Sequence, residues 1–181
     1  TLVTSAYEAW KNWTKASQEE VDRVCAAMAD AAFGAAERLG RMAHEETGYG
    51  HAEHKKLKNE FASRNVWNSI KDIKTVGVIR NDVEKHIVEI AWPMGVVAAL
   101  TPSTNPTSTV IYKILSAVKA RDAIIVAPHP SAAKCSQEAA ALMARVAEEN
   151  GAPKGLIACM RNISLQGTNE LMTHKYTALI L

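Results

Sequence analysis

No G-x-G-x-x-G follows an apolar run in this 181-residue sequence, and no Walker sequence occurs in it, so the usual phosphate-cradling fingerprints are absent. No stretch approaches the roughly 18 consecutive apolar residues of a membrane span. The start, TLVTSAYEAW, lacks the basic-then-apolar pattern of a secretory signal. Neither sign of charge dominates: the formal net charge is +2 and the pI about 8.4, with no long like-charge run at either end. That removes the field expected of a nucleic-acid or anionic-membrane binder, so neither partner is expected. Cysteine is scarce. Cys25, Cys135 and Cys159 form no C-x-x-C and no metal spacing, and each lies in an apolar, Ala-rich pattern. They read as buried structural thiols, which fits a reducing cytoplasm. His44, His51 and His54 lie close together without an H-E-x-x-H pattern, so no metal site is expected; with Glu45 and Glu46 they read as a solvated face.

What is present is ordinary globular composition, 48% hydrophobic and 22% charged, enough for one substantial core and short for two full domains. Ser17-Gln18-Glu19-Glu20 is a capping box. Apolar residues then recur at helical spacing from 21 to 43, until Thr47-Gly48-Tyr49-Gly50 breaks the pattern. A shorter helix holding Tyr7 and Trp10 precedes this one. Residues 51–72 predict a second long, partly exposed helix with Leu57, Phe61, Val66 and Ile70 on one side. The period then changes. TVGVIRNDVEKHIVEIAWPMG predicts a β-hairpin around Arg80-Asn81-Asp82, with Trp92 anchoring its end to the core. Trp10, Trp13 and Trp67 sit at helical spacing as packing residues.

From Gly95 the order is GVVAALTP, PTSTVIYKILSAVKA, DAIIVAPHP, a helix over about 131–150, LIACM, a short helix around 165–174, and YTALIL. Wholly apolar strands alternating with helices predict an α/β fold whose parallel sheet is covered on both faces. At least one of Lys113 and Lys119 is expected at the surface. The layout is a helical segment over 1–74, a hairpin over 75–92 and a βαβαβ unit over 93–181. The chain lacks an initiator Met and stops on a strand, so a partial domain of something larger is expected.

LTPSTNPTST, residues 100–109, places small polar groups and two prolines between segments that read as buried. In such a sheet, ligands bind beyond the carboxyl ends of the strands, which is where TPSTNP falls. Asn105-Pro106 is a good helix start, with Asn as N-cap and Pro at the first helical position. The alternative is that the Asn105 amide points into a cleft and donates to a developing oxyanion, a bond worth about 3 kcal/mol in a transition state. Local sequence leaves both open. The second loop, Ala127-Pro128-His129-Pro130-Ser131, also enters a helix. His129 there is either a ligand contact or a loop residue held by its prolines, and backbone amides from about Ser131 could favour an anion. No nucleophile with a nearby base can be named.

GVVAALTPSTNPTSTVIYKILSAVKARDAIIVAPHPSAAKCS, followed by NGAPKGLI, resembles the acylating, coenzyme A-dependent branch of the aldehyde dehydrogenase superfamily. The likeness includes EETGYG, NEFAS and ELMTH, and is strong to the aldehyde dehydrogenase half of bifunctional aldehyde-alcohol dehydrogenases. It implies a Rossmann-like NAD domain interrupted by a hairpin that makes homo-oligomer contacts. In that branch a cysteine attacks a short aldehyde, hydride passes to the nicotinamide, and coenzyme A cleaves the acyl-cysteine. Carried over by motif, Asn105 would hold the oxyanion. Thr101, Pro102, Ser103 and Thr104 would flank the cofactor, and Ala127, Pro128, His129 and Pro130 would lie by the adenine ribose. Ala127 stands where hydrolytic members usually carry Lys, which favours NAD over NADP. None of the three cysteines matches the nucleophile's motif. The resemblance therefore implies that the catalytic domain lies outside this chain and that the chain alone is inert. A hydrolytic aldehyde or semialdehyde dehydrogenase, and a truncated cofactor-binding or scaffold protein, are the competing readings.

Overall fold

The Ser17 capping box forms: its hydroxyl accepts from the Glu20 amide at 3.2 Å, and the Glu20 carboxylate accepts from the Ser17 amide at 2.8 Å. It starts α2 (Gln18–Gly34) in a computed structural model that describes residues 1–181. α1 (Leu2–Trp13) precedes α2, and α3 (Ala36–Thr47) follows a bend at Ala35. The sequence pattern predicts a single helix here; Gly34, a poor helix former, stands at the bend. α3 then runs against α4 (Ala52–Glu60) at backbone contact. A Cβ on Gly40 would lie 2.7 Å from the Lys56 amide nitrogen and 3.1 Å from the Ala52 carbonyl oxygen.

α4 passes through a π-turn (Phe61–Asn65) into α5 (Val66–Ile70), so the helix expected over 51–72 is present with a π-turn inside it. Its polarity is the reverse of the usual arrangement. Leu57 and Phe61 are 60% and 62% exposed, while Lys55 and Asn59 on the other side are buried. A helix that hides its amide and ammonium and shows its apolar side chains is spending stability on something other than a core.

β1 (Gly77–Asp82) and β2 (Ile87–Ala91) form the expected antiparallel hairpin. Its turn is Val83–His86 rather than Arg80–Asp82, which lie inside β1. Asp82 Oδ1 accepts from the Lys85 amide at 3.1 Å and so initiates the turn, while Arg80 pairs across the ladder with Glu89 at 3.2 Å. Trp92 does not anchor the hairpin. It is 79% exposed, because the hairpin projects from the body with Val78, Ile87, Val88 and Ile90 also uncovered.

The second sheet is parallel, in the order β5 (Ile157–Cys159), β4 (Ala123–Pro128), β3 (Val96–Thr101), β6 (Thr177–Ile180). α6 (Pro106–Lys119) and α7 (Ala133–Glu149) cover one face, with α2 packed outside them, and α1 covers the other. α8 (Leu165–Thr173) leads to β6, and in the turn before that strand Tyr176 stacks on Tyr7 of α1 at 4.0 Å between ring centroids. Val96, Ile111, Ile114, Ile124 and Ile125 are fully buried between the layers. Burial of each stabilises the fold by roughly 1.5–3 kcal/mol relative to exposure. Both Lys113 and Lys119 are buried, at 8% and 3% exposure, contrary to the expectation that at least one lies at the surface. Each ammonium has found oxygen partners. Lys119 pairs with Asp22 and the Lys71 carbonyl, and Lys113 bonds two strand-end carbonyls.

Cys25 and Cys135 are buried and Cys159 half-buried, and all three are free thiols. Burial pushes each thiol up to about 12. For Cys25 and Cys135 that matches the buried role read from the sequence, while Cys159 is less enclosed than expected, and none of the three is an activated thiolate. No group of His, Cys, Asp and Glu side chains could hold a metal ion. No helix is long and apolar enough to cross a membrane.

Candidate functional site

The strand order makes one place special. The chain leaves β3 toward β4 and β5, then returns to add β6 on the other side of β3. That order makes a switch point beyond the carboxyl ends of β3 and β6, the place where parallel sheets bind ligands. The loop after β3 that borders it is Pro102–Asn105.

Thr101 ends β3 with its hydroxyl buried and without a hydrogen-bond partner. Pro102 and Thr104 are exposed, and Ser103 and Asn105 half-buried. Asn105 occupies the N-cap position of α6, followed by Pro106, as its sequence predicts. Its side chain makes no capping bond. Instead, Oδ1 accepts from Lys58 Nζ at 2.7 Å, while Nδ2 reaches only Thr104 Oγ1 at 3.5 Å. The carboxamide is thus bound through its oxygen and has donor capacity left over.

Three lysines hold this loop. Lys55 Nζ donates to the Thr104 carbonyl at 2.8 Å. Lys58 holds the Asn105 side chain. Lys113 Nζ donates to the Leu100 carbonyl at 2.7 Å and to the Leu181 oxygen at 2.8 Å, tying together the ends of β3 and β6. Beside them Thr107 donates to Asn59 Oδ1 at 2.8 Å, and Asn59 donates to the Ala36 carbonyl at 3.0 Å. No carboxylate lies within ion-pair distance of Lys55, Lys58 or Lys113. Burial lowers the pKa of Lys55, with repulsion from Lys58 adding to it, and burial alone lowers that of Lys113. Partly desolvated cations with no counter-charge make this end of the sheet favourable to negative charge.

On the helix side of Asn105 a groove of about 610 Å³ is lined by Leu57, Phe61, Val66, Ser108, Thr109 and Tyr112. The inverted α4 thus serves the site twice. Its polar face grips the loop, and its apolar face walls the groove.

The second loop is placed differently. Ala127 and Pro128 belong to β4 and are buried, so only His129 and Pro130 are exposed. Thr101 and Pro128 stand in register, which brings the two loops out side by side. His129 Nδ1 lies 2.8 Å from Ser131 Oγ and accepts from the Ser131 amide at 3.2 Å, starting the turn before α7 and leaving only Nε2 free. The helix start does not await an anion, as the sequence suggested. Glu46 already fills it, its carboxylate accepting from the Lys134 and Cys135 amides at 2.8 and 2.7 Å. Glu46 is therefore a helix cap supplied by α3 and not part of a solvated face. The spacing Lys55, Lys58, Asn59 places one side of a helix on the loop, but nothing in a charged segment distinguishes such a face from a solvated one.

A four-stranded parallel sheet covered by helices on both faces, with a polar loop at its switch point, defines an α/β class. A sequence model of the aldehyde dehydrogenase family matches residues 1–181. The bifunctional aldehyde-alcohol dehydrogenase AdhE of Escherichia coli K12 is 41% identical over 180 residues, covering 99% of this chain and 20% of that protein. The acetylating succinate-semialdehyde dehydrogenase of Clostridium kluyveri is 40% identical over 171 residues, covering 94% of this chain and 38% of its own length. The crystal structure of an acetylating aldehyde dehydrogenase from Geobacillus thermoglucosidasius superposes with a TM-score of 0.98 at 55% identity, over 99% of this chain and 40% of that one. This chain belongs to the aldehyde dehydrogenase family. It spans between one fifth and two fifths of the length of these relatives.

Proposed function

We propose that this chain is the cofactor-side part of an NAD-dependent acylating aldehyde dehydrogenase, which oxidises a short-chain aldehyde with coenzyme A to acyl-CoA and NADH through a cysteine thioester. The observation that carries the reading is the Asn105 carboxamide. It stands at the switch point, forgoes the helix cap its position offers, and keeps N–H donors unspent. An oxyanion formed when a thiolate adds to a carbonyl needs such a preorganised donor.

The residues present fit a nicotinamide dinucleotide. Thr101 brings an unpartnered buried hydroxyl to the strand end, Pro102 and Thr104 stand exposed beyond it, and the second loop opens beside them in register. A nicotinamide held here would supply the acceptor for the hydride that leaves the substrate carbon. Thr101, Pro102, Ser103 and Thr104 would flank that ring. Ala127, Pro128, His129 and Pro130 would border the adenine ribose, the first two through backbone alone. Neither Ala127 nor Pro128 offers a cation to a 2′-phosphate, which favours NAD over NADP. The groove walled by Leu57, Phe61 and Tyr112 suits an apolar acyl group, and the exposed faces of the hairpin suit contact with a second copy of the chain.

The test is Asn105→Ala in the intact enzyme. It should lower kcat on the order of 10²-fold or more while leaving NAD affinity nearly unchanged. Normal turnover would remove Asn105 from the mechanism, whereas loss of about 1 kcal/mol of stability alone would make it a cap. Acid release without coenzyme A would point to the hydrolytic branch instead.

A further inference from the structure

We propose that Lys58 is a positioning residue whose ammonium fixes and polarises the Asn105 carboxamide, an inference that rests on the oxyanion reading of Asn105. The two ends of a carboxamide are nearly the same size, and rotation by half a turn exchanges donor for acceptor. An oxyanion site tolerates only one of these orientations, because the oxygen end would face the developing negative charge. An ammonium has donors only. At 2.7 Å from Oδ1, Lys58 therefore holds the oxygen end and directs the N–H groups the other way; in the flipped state two donors would confront each other. A charged donor on the carbonyl oxygen also draws density from the amide nitrogen, which makes its N–H a stronger donor.

The surroundings set Lys58 apart for this task. No carboxylate competes for it within ion-pair distance. The loop backbone is already held by Lys55 on the Thr104 carbonyl and by Lys113 on the Leu100 carbonyl. Thr107 and Asn59 lock the start of α6 to the same helix face. Lys58 thus acts on the Asn105 side chain, while its neighbours fix the main chain. Removing its charge should leave the loop in place and free the amide to turn.

The test uses the intact enzyme carrying this chain, with Lys58→Met, Lys58→Arg, Asn105→Ala and the double variant K58M/N105A. Steady-state kcat and KM with aldehyde, NAD and coenzyme A are measured beside NAD binding by fluorescence. K58M should lower kcat by on the order of 10-fold to 10²-fold, with NAD affinity within about threefold of wild type. K58R, which keeps a charged donor, should recover most of that loss. In the N105A background K58M should cost less than about threefold more, since the group it positions is gone. Wild-type kcat in K58M, or its full cost added on top of N105A, would overturn the proposal while leaving Asn105 in its role. Wild-type turnover in N105A would overturn the oxyanion reading itself, and Lys58's part with it. Should K58M fail to fold, Lys58→Gln carries the same prediction.

Discussion

Replacing Gly40 by alanine tests whether the site depends on how closely α3 and α4 approach. The new Cβ would stand 2.7 Å from the Lys56 amide nitrogen and 3.1 Å from both the Ala52 carbonyl oxygen and the Lys55 carbonyl carbon. All three are backbone atoms, so no side chain can swing away. To reach ordinary van der Waals separation α4 must retreat by on the order of 0.7 Å. Such overpacking costs about 1–3 kcal/mol, against which the better helix propensity of alanine returns about 1 kcal/mol. A net loss of about 1 kcal/mol is expected. Catalysis should suffer more, because the part of α4 that moves carries Lys55 and Lys58, whose 2.8 and 2.7 Å bonds hold Thr104 and Asn105. A displacement approaching 1 Å can cost about 10²-fold in rate. Denaturant midpoints and kcat of the intact enzyme measure the two effects separately. A more stable G40A variant with unchanged kcat would mean that α4 can shift without disturbing the loop, against this expectation.

Three other outcomes follow from the Glu46 cap and the buried thiols. Glu46→Gln should cost about 1 kcal/mol in urea unfolding by weakening the cap on the Lys134 and Cys135 amides; an unchanged midpoint would mean the carboxylate charge contributes nothing at α7. Cys25 and Cys135 should resist iodoacetamide at pH 8 when labelling is resolved by peptide, because burial holds their thiols near 12 against an ordinary 9.0. The sign follows from proton counting. Below pH 9 both folded and unfolded chains keep these protons, and between 9 and 12 only the unfolded chain releases them. Stability should therefore fall as pH rises through that window, by on the order of 1.4 kcal/mol per pH unit per thiol. Rapid native-state labelling at pH 8 would contradict it.

The parallel sheet was legible because residues 96–100 and 123–128 are apolar on both faces, which a doubly covered sheet can use. The two loops were legible for a similar reason, since polar residues and prolines punctuate buried runs there. Burial of lysine was not legible. An ammonium on a long stem enters a protein when oxygens from distant segments converge on it, and Lys113 meets carbonyls 13 and 68 residues away. The reversal of α4 escaped for the same reason, because Leu57 and Phe61 follow helical spacing whichever way the helix is turned. Trp92 shows the converse error: a large aromatic at a strand end reads as an anchor, yet the hairpin stands clear of the body. Glu46 was hidden by its neighbours, a carboxylate in a charged helix end whose target lies 88 residues away.

The account turns on which way one amide faces when substrate is present. A crystal structure of the intact enzyme with NAD and a short aldehyde captured on its nucleophile measures this directly. The prediction is that Asn105 Nδ2 lies about 2.7–3.1 Å from the substrate oxygen, with Oδ1 still on Lys58 and the dinucleotide along Thr101–Thr104. An Asn105 amide turned to bulk solvent, with the dinucleotide bound away from the carboxyl ends of β3 and β6, would contradict it.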